Sequence, residues 1–201
     1  MKIEIDARGQ VCPKPVIMTK KELDKIDKGV VVTIVDNEVA VGNVSKLANS
    51  LGYEFKIDKK NEDEYYITII KGEGETHLGE DKESKKADSD NLVIVFSSNI
   101  MGKGSEELGK ILIKSFMYTL TESKPYPKTM LFFNSGVYLT CEGSEVLEDI
   151  KKLESEGVEI LSCGTCLDYY KLKEKLQVGQ ITNMYTIYER IKNASNTVTI
   201  G

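Results

Sequence analysis

Two short cysteine motifs hold the residue types best suited to chemistry in this chain. The first is Cys12-Pro13-Lys14-Pro15, and the second is Cys163-Gly-Thr-Cys166. The thiolate is the nucleophilic form of cysteine, and a helix N-terminus or a nearby positive charge favours it. The sequence therefore predicts thiol chemistry at both motifs, centred on Cys12, Cys163 and Cys166.

The first motif is predicted to begin a helix. Proline suits the first helical position because its missing N–H would have no helical partner there, so Pro13 should begin the helix and Cys12 should cap it. The positive end of the helix dipole and the free backbone N–H groups would then favour a thiolate, a persulfide or a perselenide. Lys14 adds positive charge. The alternative is a buried cysteine packed as a small apolar residue, against which the polar neighbours and the two prolines argue.

The second motif is expected between a strand and a helix, with one thiol near a helix N-terminus and the other within disulfide reach. Four uses stay open: a redox-active dithiol, a relay in which one cysteine resolves the persulfide of the other, half of a zinc site, and a packed turn. Structural zinc usually needs a second pair of ligands, and Cys12, Cys141 and His77 are not paired at ligand spacing. No metal or cofactor is therefore expected.

Three other features give weaker signals. The loop at 97–105 could bind an anion on its backbone N–H groups, but Gly104 stands where a P-loop needs Ser or Thr. Cys141 is expected to be a loop or packing residue. His77, the single histidine, lies in a polar run and is a poor candidate for a general base.

The elements that must position the motifs fall into two groups. Up to residue 71, apolar spacing predicts the order β-α-β-α-β-β, with a helix over 13–28 and a second helix that is capped by Asn37 and stopped by Gly52. Two helices on one face of a mixed sheet would form a two-layer α/β sandwich. The predicted strands are 2–6, 30–35, 53–57 and 65–69.

From residue 92 onward, wholly apolar strands alternate with helices, which is typical of a three-layer α/β domain with a mainly parallel sheet. Reactive groups in such sheets lie beyond the carboxyl ends of the strands, which indicates the loops 97–104, 134–141 and 162–166. The first helix, 105–121, is expected to turn Leu108, Ile111, Leu112 and Thr119 inward. The other predicted elements are strands at 92–96, 130–133, 158–161 and 197–200 and helices at 144–156, 168–176 and 183–192.

The segment 72–91 has only Leu78 and Ala87 as apolar residues. Such a composition predicts a flexible linker between domains 1–71 and 92–201. The net charge of −5 disfavours nucleic acid as a partner, and no apolar run approaches the roughly 18 residues of a membrane span. The N-terminus lacks the apolar core of a signal peptide, so a cytoplasmic location with reduced thiols is expected.

The segment Asp-Ala-Arg-Gly-Gln-Val-Cys-Pro-Lys-Pro, residues 6–15, resembles the signature of the TusA/SirA sulfur-carrier family. The resemblance covers residues 1–71 and includes the order of elements. It implies that Cys12 carries a persulfide received from a cysteine desulfurase, as a sulfurtransferase-like carrier. The residues that support the motif are Arg8, Gly9, Pro13, Lys14 and Pro15, of which Lys14 stands where the family usually has an acidic residue.

The second half is similar to DsrE-like domains, and nearly the whole chain resembles the YedF family linked to selenium metabolism. This resemblance lies in residues 98–104, 163–169 and 183–185. It implies a role beside selenophosphate synthetase, and a homo-oligomer through the C-terminal domain is expected. The leading hypothesis is a sulfur or selenium carrier on Cys12 with a relay at Cys163 and Cys166. The alternatives are a thiol-disulfide oxidoreductase that uses this pair, and a non-catalytic regulatory docking protein.

Overall fold

The computed structural model of the protein describes residues 2–72 and 91–201. These residues form two compact units, one built on a mixed sheet and one on a parallel sheet, so the predicted α/β class is confirmed. The predicted linker, 72–91, lies outside the described residues apart from its two end residues. The domain boundaries at 71 and 92 stay predictions.

The first unit has the predicted order of strands and helices. Its elements are β1 (Lys2–Asp6), α1 (Lys14–Asp24), β2 (Gly29–Val35), α2 (Glu38–Ser50), β3 (Glu54–Asn61) and β4 (Glu64–Lys71). The strands pair in the order β1-β2-β4-β3, and only the β1–β2 pair is parallel within this unit. Both helices pack against one face of the sheet and share a core with alternate strand residues. The helices contribute Leu23, Val44 and Ala48, and the strands contribute Val31, Val35, Ile67 and Ile69.

The start of α2 agrees with its prediction from local sequence, whereas the end of α1 does not. The Asn37 side chain accepts a hydrogen bond from the Ala40 N–H at 2.9 Å, as predicted for the cap of α2, and Gly52 follows with a φ of +70°. Helix α1 instead ends at Asp24, four residues before the predicted end at Lys28. Ile26 lies beyond the helix and is still buried, because a turn can bury an apolar residue that continues the helical spacing.

The second unit is built on a five-stranded parallel sheet in the order β8-β7-β6-β5-β9. Its strands are β5 (Leu92–Phe96), β6 (Thr129–Phe132), β7 (Glu159–Cys163), β8 (Gln180–Thr182) and β9 (Asn196–Ile200). Its helices are α3 (Glu106–Glu122), α4 (Leu147–Ser155), α5 (Gly164–Tyr169) and α6 (Met184–Lys192), with 3-10 helices at Asn134–Thr140 and Lys173–Lys175. The three-residue β8 and the first 3-10 helix were not predicted, because neither is long enough to give a periodic pattern.

Alternate residues of the parallel strands face two separate cores. Phe96, Phe132 and Ile160 pack with α3 and α4 on one face, whereas Val95 and Leu161 pack with α6 on the other. Helices cover both faces of this sheet, which is the predicted three-layer arrangement. The carboxyl ends of the strands therefore share one edge.

The predicted inner face of α3 is wrong. Leu108 and Ile111 are 52% and 54% exposed and Leu112 is also exposed, while Thr119 is half-buried. The buried residues are Gly109, Ile113, Met117 and Thr121. Helix α3 carries apolar residues on two sides, and the side that faces the core is the one on which the helix backbone comes close to the loop at Ile100. A Cβ on Gly109 would stand 3.0 Å from Ile100 Cβ. Leu and Ile are more hydrophobic than Gly and Thr, so a prediction from hydropathy places the wrong side of α3, the exposed one, in the core.

None of the helices within residues 2–72 and 91–201 has both the length and the apolar character that crossing a bilayer requires.

Candidate functional site

Cys12 lies in the loop between β1 and α1, with an exposed side chain and a cis peptide bond to Pro13. Helix α1 begins at Lys14, and Pro13 occupies the capping position. The prediction that Pro13 is the first helical residue and Cys12 the cap is therefore wrong by one residue. The cause is a turn, in which the Lys14 N–H donates to the Val11 carbonyl oxygen at 3.0 Å.

The hydrogen-bond donor that the structure places on the Cys12 sulfur comes from the neighbouring helix. The side-chain nitrogen Nδ2 of Asn43, in α2, lies 3.5 Å from Cys12 Sγ. The start of α1 contributes less than predicted, because Pro13 and Pro15 have no N–H and the Lys14 N–H is already paired. An amide from α2 thus replaces part of the expected cluster of backbone donors.

Hydrogen bonds hold the loop that leads to Cys12. The Arg8 guanidinium binds both carboxylate oxygens of Asp6, at 2.9 Å and 2.7 Å, and reaches Glu64 at 3.3 Å. The Gly9 N–H donates to Asp36 Oδ2 at 2.6 Å, and the φ of +70° at Gly9 favours glycine. These contacts tie the loop to β1, to β4 and to the end of β2, so Arg8 and Gly9 position the motif.

The same contacts perturb the carboxylates of the loop. The hydrogen bonds from Arg8 lower the pKa of Asp6 to about 2. The Gly9 N–H, followed by the Asn37 amide, lowers the pKa of Asp36. Both carboxylates therefore stay ionised at neutral pH and keep the loop in place.

A pocket of about 210 Å³ lies beside Cys12. This volume is below the roughly 300–1,000 Å³ of common ligand pockets, so it suits a small group on the sulfur. Val11 and Val39 at its walls are 73% and 69% exposed, which gives the thiol an apolar surround. The lining residues are Gln10, Val11, Cys12, Pro15, Val16, Asn37, Val39, Ala40 and Asn43.

The two cysteines of the second motif, Cys163 and Cys166, are unequal in exposure. Cys163 is the last residue of β7 and is 2% exposed, whereas Cys166 lies in the first turn of α5 and is half-buried. Both are free thiols, and Cys166 packs against the buried cluster that contains Cys163. The predicted junction of strand and helix is confirmed, with a buried thiol behind a more accessible one.

Cys166 receives a backbone donor from another strand end. The Asn134 N–H lies 3.1 Å from Cys166 Sγ, and Asn134 has a left-handed φ of +49°. The Tyr170 hydroxyl donates to Asn134 Oδ1 at 2.9 Å, which holds this residue in place. Burial and the neighbouring Cys163 thiol raise the pKa of Cys166, while the Asn134 N–H acts in the opposite direction.

Similarity to known proteins assigns this chain to a family. The family described as Sulfurtransferase TusA matches residues 3–71. The "Putative sulfur carrier protein MJ0990" of Methanocaldococcus jannaschii is 32% identical over 69 residues, which are 34% of this chain and 92% of that protein. The chain belongs to the TusA family. Its Cys12, Arg8 and Gly9 all lie within the part that matches TusA.

Two solved structures give further similarity. The match to a SirA-like protein from Desulfitobacterium hafniense spans 36% of this TusA family member and 100% of the SirA-like chain. The sequence identity is 41% and the TM-score is 0.34. The ychN protein from E. coli is 16% identical and covers 55% of this chain and 98% of its own, with a TM-score of 0.40. The relation of the second unit to the YedF family stays a prediction.

The remaining predicted features of this TusA family member lie away from Cys12, Cys163 and Cys166 in the sequence. Cys141 is buried, its Sγ lies 3.9 Å from the Leu172 carbonyl oxygen, and burial raises its pKa, which fits the expected packing residue. Asn99, from the loop 97–104, lines a separate pocket of about 240 Å³. His77 lies outside the described residues. Within 2–72 and 91–201, no cluster of three or more His, Cys, Asp or Glu is placed to hold a metal ion.

Three residues of the two sites were missed by sequence reasoning: Asn43, Asp36 and Asn134. Asn43 and Asp36 approach the Cys12 loop only because β2 and α2 fold beside it. Asn134 acts through its backbone N–H, so its side chain gives no direct signal. A weak signal existed for it, because the loop 134–141 was expected beside 162–166 at the edge of the sheet.

Proposed function

We propose that the protein is a sulfur carrier that holds the transferred sulfur on Cys12 as a persulfide. The observation that carries the proposal is the exposed Cys12 of the family motif beside a pocket of about 210 Å³. Membership of the TusA family supports it, as does the similarity to a protein named as a sulfur carrier.

The transfer is an exchange in which no net oxidation occurs. The Cys12 thiolate attacks the outer sulfur of a donor persulfide, a new S–S bond forms at Cys12 Sγ, and the donor thiolate leaves. An acceptor thiolate then attacks the outer sulfur, and Cys12 leaves as a thiolate. The exposed position of Cys12 allows both attacks, and the Asn43 amide stands where it can donate to either sulfur anion.

The donor and the acceptor are proposed to be enzymes that handle an activated chalcogen. A cysteine desulfurase fits the donor step, and selenophosphate synthetase fits the acceptor step if the atom is selenium, which forms a perselenide by the same exchange. Lys14 is exposed beside the thiol, so a partner with acidic side chains would complement this surface. The second unit is proposed to support a homo-oligomer.

A second candidate function rests on the thiols of Cys163 and Cys166. The Asn134 N–H on Cys166 Sγ and the adjacent Cys163 favour either a relay that receives the chalcogen from Cys12 or a thiol-disulfide oxidoreductase. A regulatory docking protein would need neither Cys12 nor the Cys163 and Cys166 pair.

The test is loading with labelled sulfur. The full chain is incubated with a cysteine desulfurase and ³⁵S-cysteine, and the intact mass and the labelled peptide are determined. We expect one added sulfur on Cys12, complete loss in Cys12→Ser, and unchanged loading in the control Cys141→Ala. Equal labelling of the parent and of Cys12→Ser would refute the carrier proposal.

A further inference from the structure

We propose that Cys163 and Cys166 form a reductive release site, which converts a bound sulfane sulfur to free sulfide. The inference rests on the proposed function for its source of sulfur, the persulfide on Cys12. Its chemistry can be tested without Cys12. It differs from a relay because the atom leaves as sulfide and the two thiols are oxidised.

The unequal burial of the two thiols assigns their order of action. Cys166 is half-buried and can be reached by a persulfide from solvent, while Cys163 is 2% exposed and lies behind it. Cys163 packs in a core with Val95, Leu161 and Ile187, so an external persulfide cannot reach it directly. Cys166 is therefore the first acceptor, and Cys163 is the resolving thiol.

The donor on Cys166 suits an anionic sulfur. The Asn134 N–H lies 3.1 Å from Sγ, and a hydrogen bond to a charged acceptor is stronger than one to a neutral acceptor. The φ of +49° at Asn134 and the Tyr170 hydroxyl bond to its side chain aim this N–H at the sulfur. The site thus has a directed backbone donor, a thiol to accept the sulfur and a second thiol in contact with it.

The reaction has two steps. In the first, the Cys166 thiolate attacks the outer sulfur of the persulfide R–S–SH, an S–S bond forms on Cys166, and R–SH leaves. In the second, the Cys163 thiolate attacks Cys166 Sγ, the disulfide forms, and the terminal sulfur leaves as hydrosulfide. Overall, R–SSH and two thiols give R–SH, one disulfide and H₂S. The sulfane sulfur gains two electrons, which come from the two thiols.

The contact between the two side chains makes release faster than transfer to another protein. Cys166 packs against the buried cluster that contains Cys163, so the attack by Cys163 is intramolecular, and well-oriented intramolecular reactions have very high effective concentrations. An external thiol would have to reach a half-buried persulfide from solution. Release of sulfide is therefore the outcome that this geometry favours.

The experiment uses the full chain with the substitution Cys12→Ser, reduced and freed of reductant under argon. Glutathione persulfide is the probe, in single turnover with protein in excess, and the sulfide released and the intact mass are measured. We expect one equivalent of sulfide for each persulfide consumed, together with a mass loss of two hydrogens in a peptide that links Cys163 to Cys166.

Two further substitutions separate the roles of the thiols. With Cys163→Ala added, we expect no sulfide above the buffer level and one added sulfur retained on Cys166. With Cys166→Ala added, we expect neither the added sulfur nor sulfide. Cys141→Ala is the matched control, since it also removes a buried thiol. Circular dichroism checks folding, and Cys163→Ser is the second variant if Cys163→Ala is unfolded.

Sulfide release at the parent rate from the folded Cys163→Ala or Cys166→Ala protein would overturn the inference. A stable persulfide on Cys166 with both thiols present would also overturn it, in favour of a relay. Because every arm lacks Cys12, these outcomes do not depend on the carrier proposal, which fails separately if the parent protein does not load at Cys12.

Discussion

The two proposed sulfur sites of this protein differ in what surrounds the thiol that is proposed to react. Cys12 stands alone on an exposed loop, with a side-chain amide at 3.5 Å and exposed Val11 and Val39 nearby. Cys166 is half-buried, with a backbone N–H at 3.1 Å and a second thiol behind it. An exposed thiol such as Cys12, the single cysteine among residues 2–72, can exchange sulfur with partners but has no second thiol within these residues that could resolve a persulfide. A thiol of the second kind can complete a two-electron step within its own unit.

The largest expected difference between the two sites is in alkylation. We predict that iodoacetamide at neutral pH labels Cys12 first, Cys166 next, and Cys163 and Cys141 last. The buried thiols react only after local opening, and an opening cost of a few kcal/mol slows labelling by about a hundredfold or more. Peptide mass spectrometry over a time course measures the four rates.

The denatured chain is the control for the alkylation experiment, because its four thiols should react at similar rates. Labelling of Cys141 as fast as Cys12 in the folded protein would contradict both the exposed position of Cys12 and the burial of Cys141.

The next prediction concerns Asn43, the residue that supplies the donor at the exposed site. Asn43→Ala removes the hydrogen bond to Cys12 Sγ. A net hydrogen bond contributes about 0.5–1.5 kcal/mol, so we expect alkylation and sulfur loading of Cys12 to fall about two- to tenfold. Labelling of Cys166 should not change. Both rates are measured on the same samples by peptide mass spectrometry.

Asn49→Ala is the matched control for Asn43→Ala, because Asn49 lies on the same helix and is exposed. If both substitutions slow Cys12 equally, the effect comes from α2 as a whole and not from the amide.

At the second site, Tyr170 holds the residue that donates to the sulfur, Asn134. Tyr170→Phe keeps the ring and removes the hydroxyl that donates to Asn134 Oδ1. The Asn134 N–H then loses one restraint, and we expect sulfide release and Cys166 labelling to fall about two- to threefold, the effect of a neutral hydrogen bond at the lower end of its range. The neighbouring Tyr169, which is 80% exposed, provides the control Tyr169→Phe. An equal loss in both variants would mean that Asn134 needs no support from Tyr170.

Apart from the start and end of α1, sequence reasoning succeeded where the determinant was local. The Cys12 motif, the Asn37 cap and the strand-to-helix junction at Cys163 each depend on residues a few positions apart. It failed where distant parts of the chain meet. The rotation of α3 is set by the approach of Gly109 to the loop at Ile100, and apolar spacing carries no information on that contact.

The functional donors show the same limit. The amide on Cys12 comes from 31 positions away and the N–H on Cys166 from 32. A motif can thus identify a candidate nucleophile in advance, while the group that donates to its sulfur depends on the tertiary fold.

The smallest predicted effect is a change at acidic pH in the loop that leads to Cys12. The pKa of Asp36 is lowered mainly by the Gly9 N–H, so the folded pKa lies below the unfolded value of about 3.9. For a carboxyl group shifted in this direction, the stabilisation is complete above the unfolded pKa and is lost as the pH falls through the folded pKa. The Gly9–Asp36 contact should therefore be intact from neutral pH down to about 4 and weaken below it.

The amide resonance of Gly9 in a ¹⁵N-labelled sample measures this prediction. We expect its chemical shift to titrate with an apparent pKa below about 3.9, and the titration to disappear in Asp36→Asn. Asp6 serves as the internal comparison, because the hydrogen bonds from Arg8 lower its pKa to about 2, so the Arg8 amide should titrate at about that pH. The Asn134 amide should show no matching transition, since the group that accepts its hydrogen bond is the Cys166 sulfur and not a carboxylate. A Gly9 transition near pH 5 would mean that the loop is held by other contacts and that the carboxylate of Asp36 does not position Cys12.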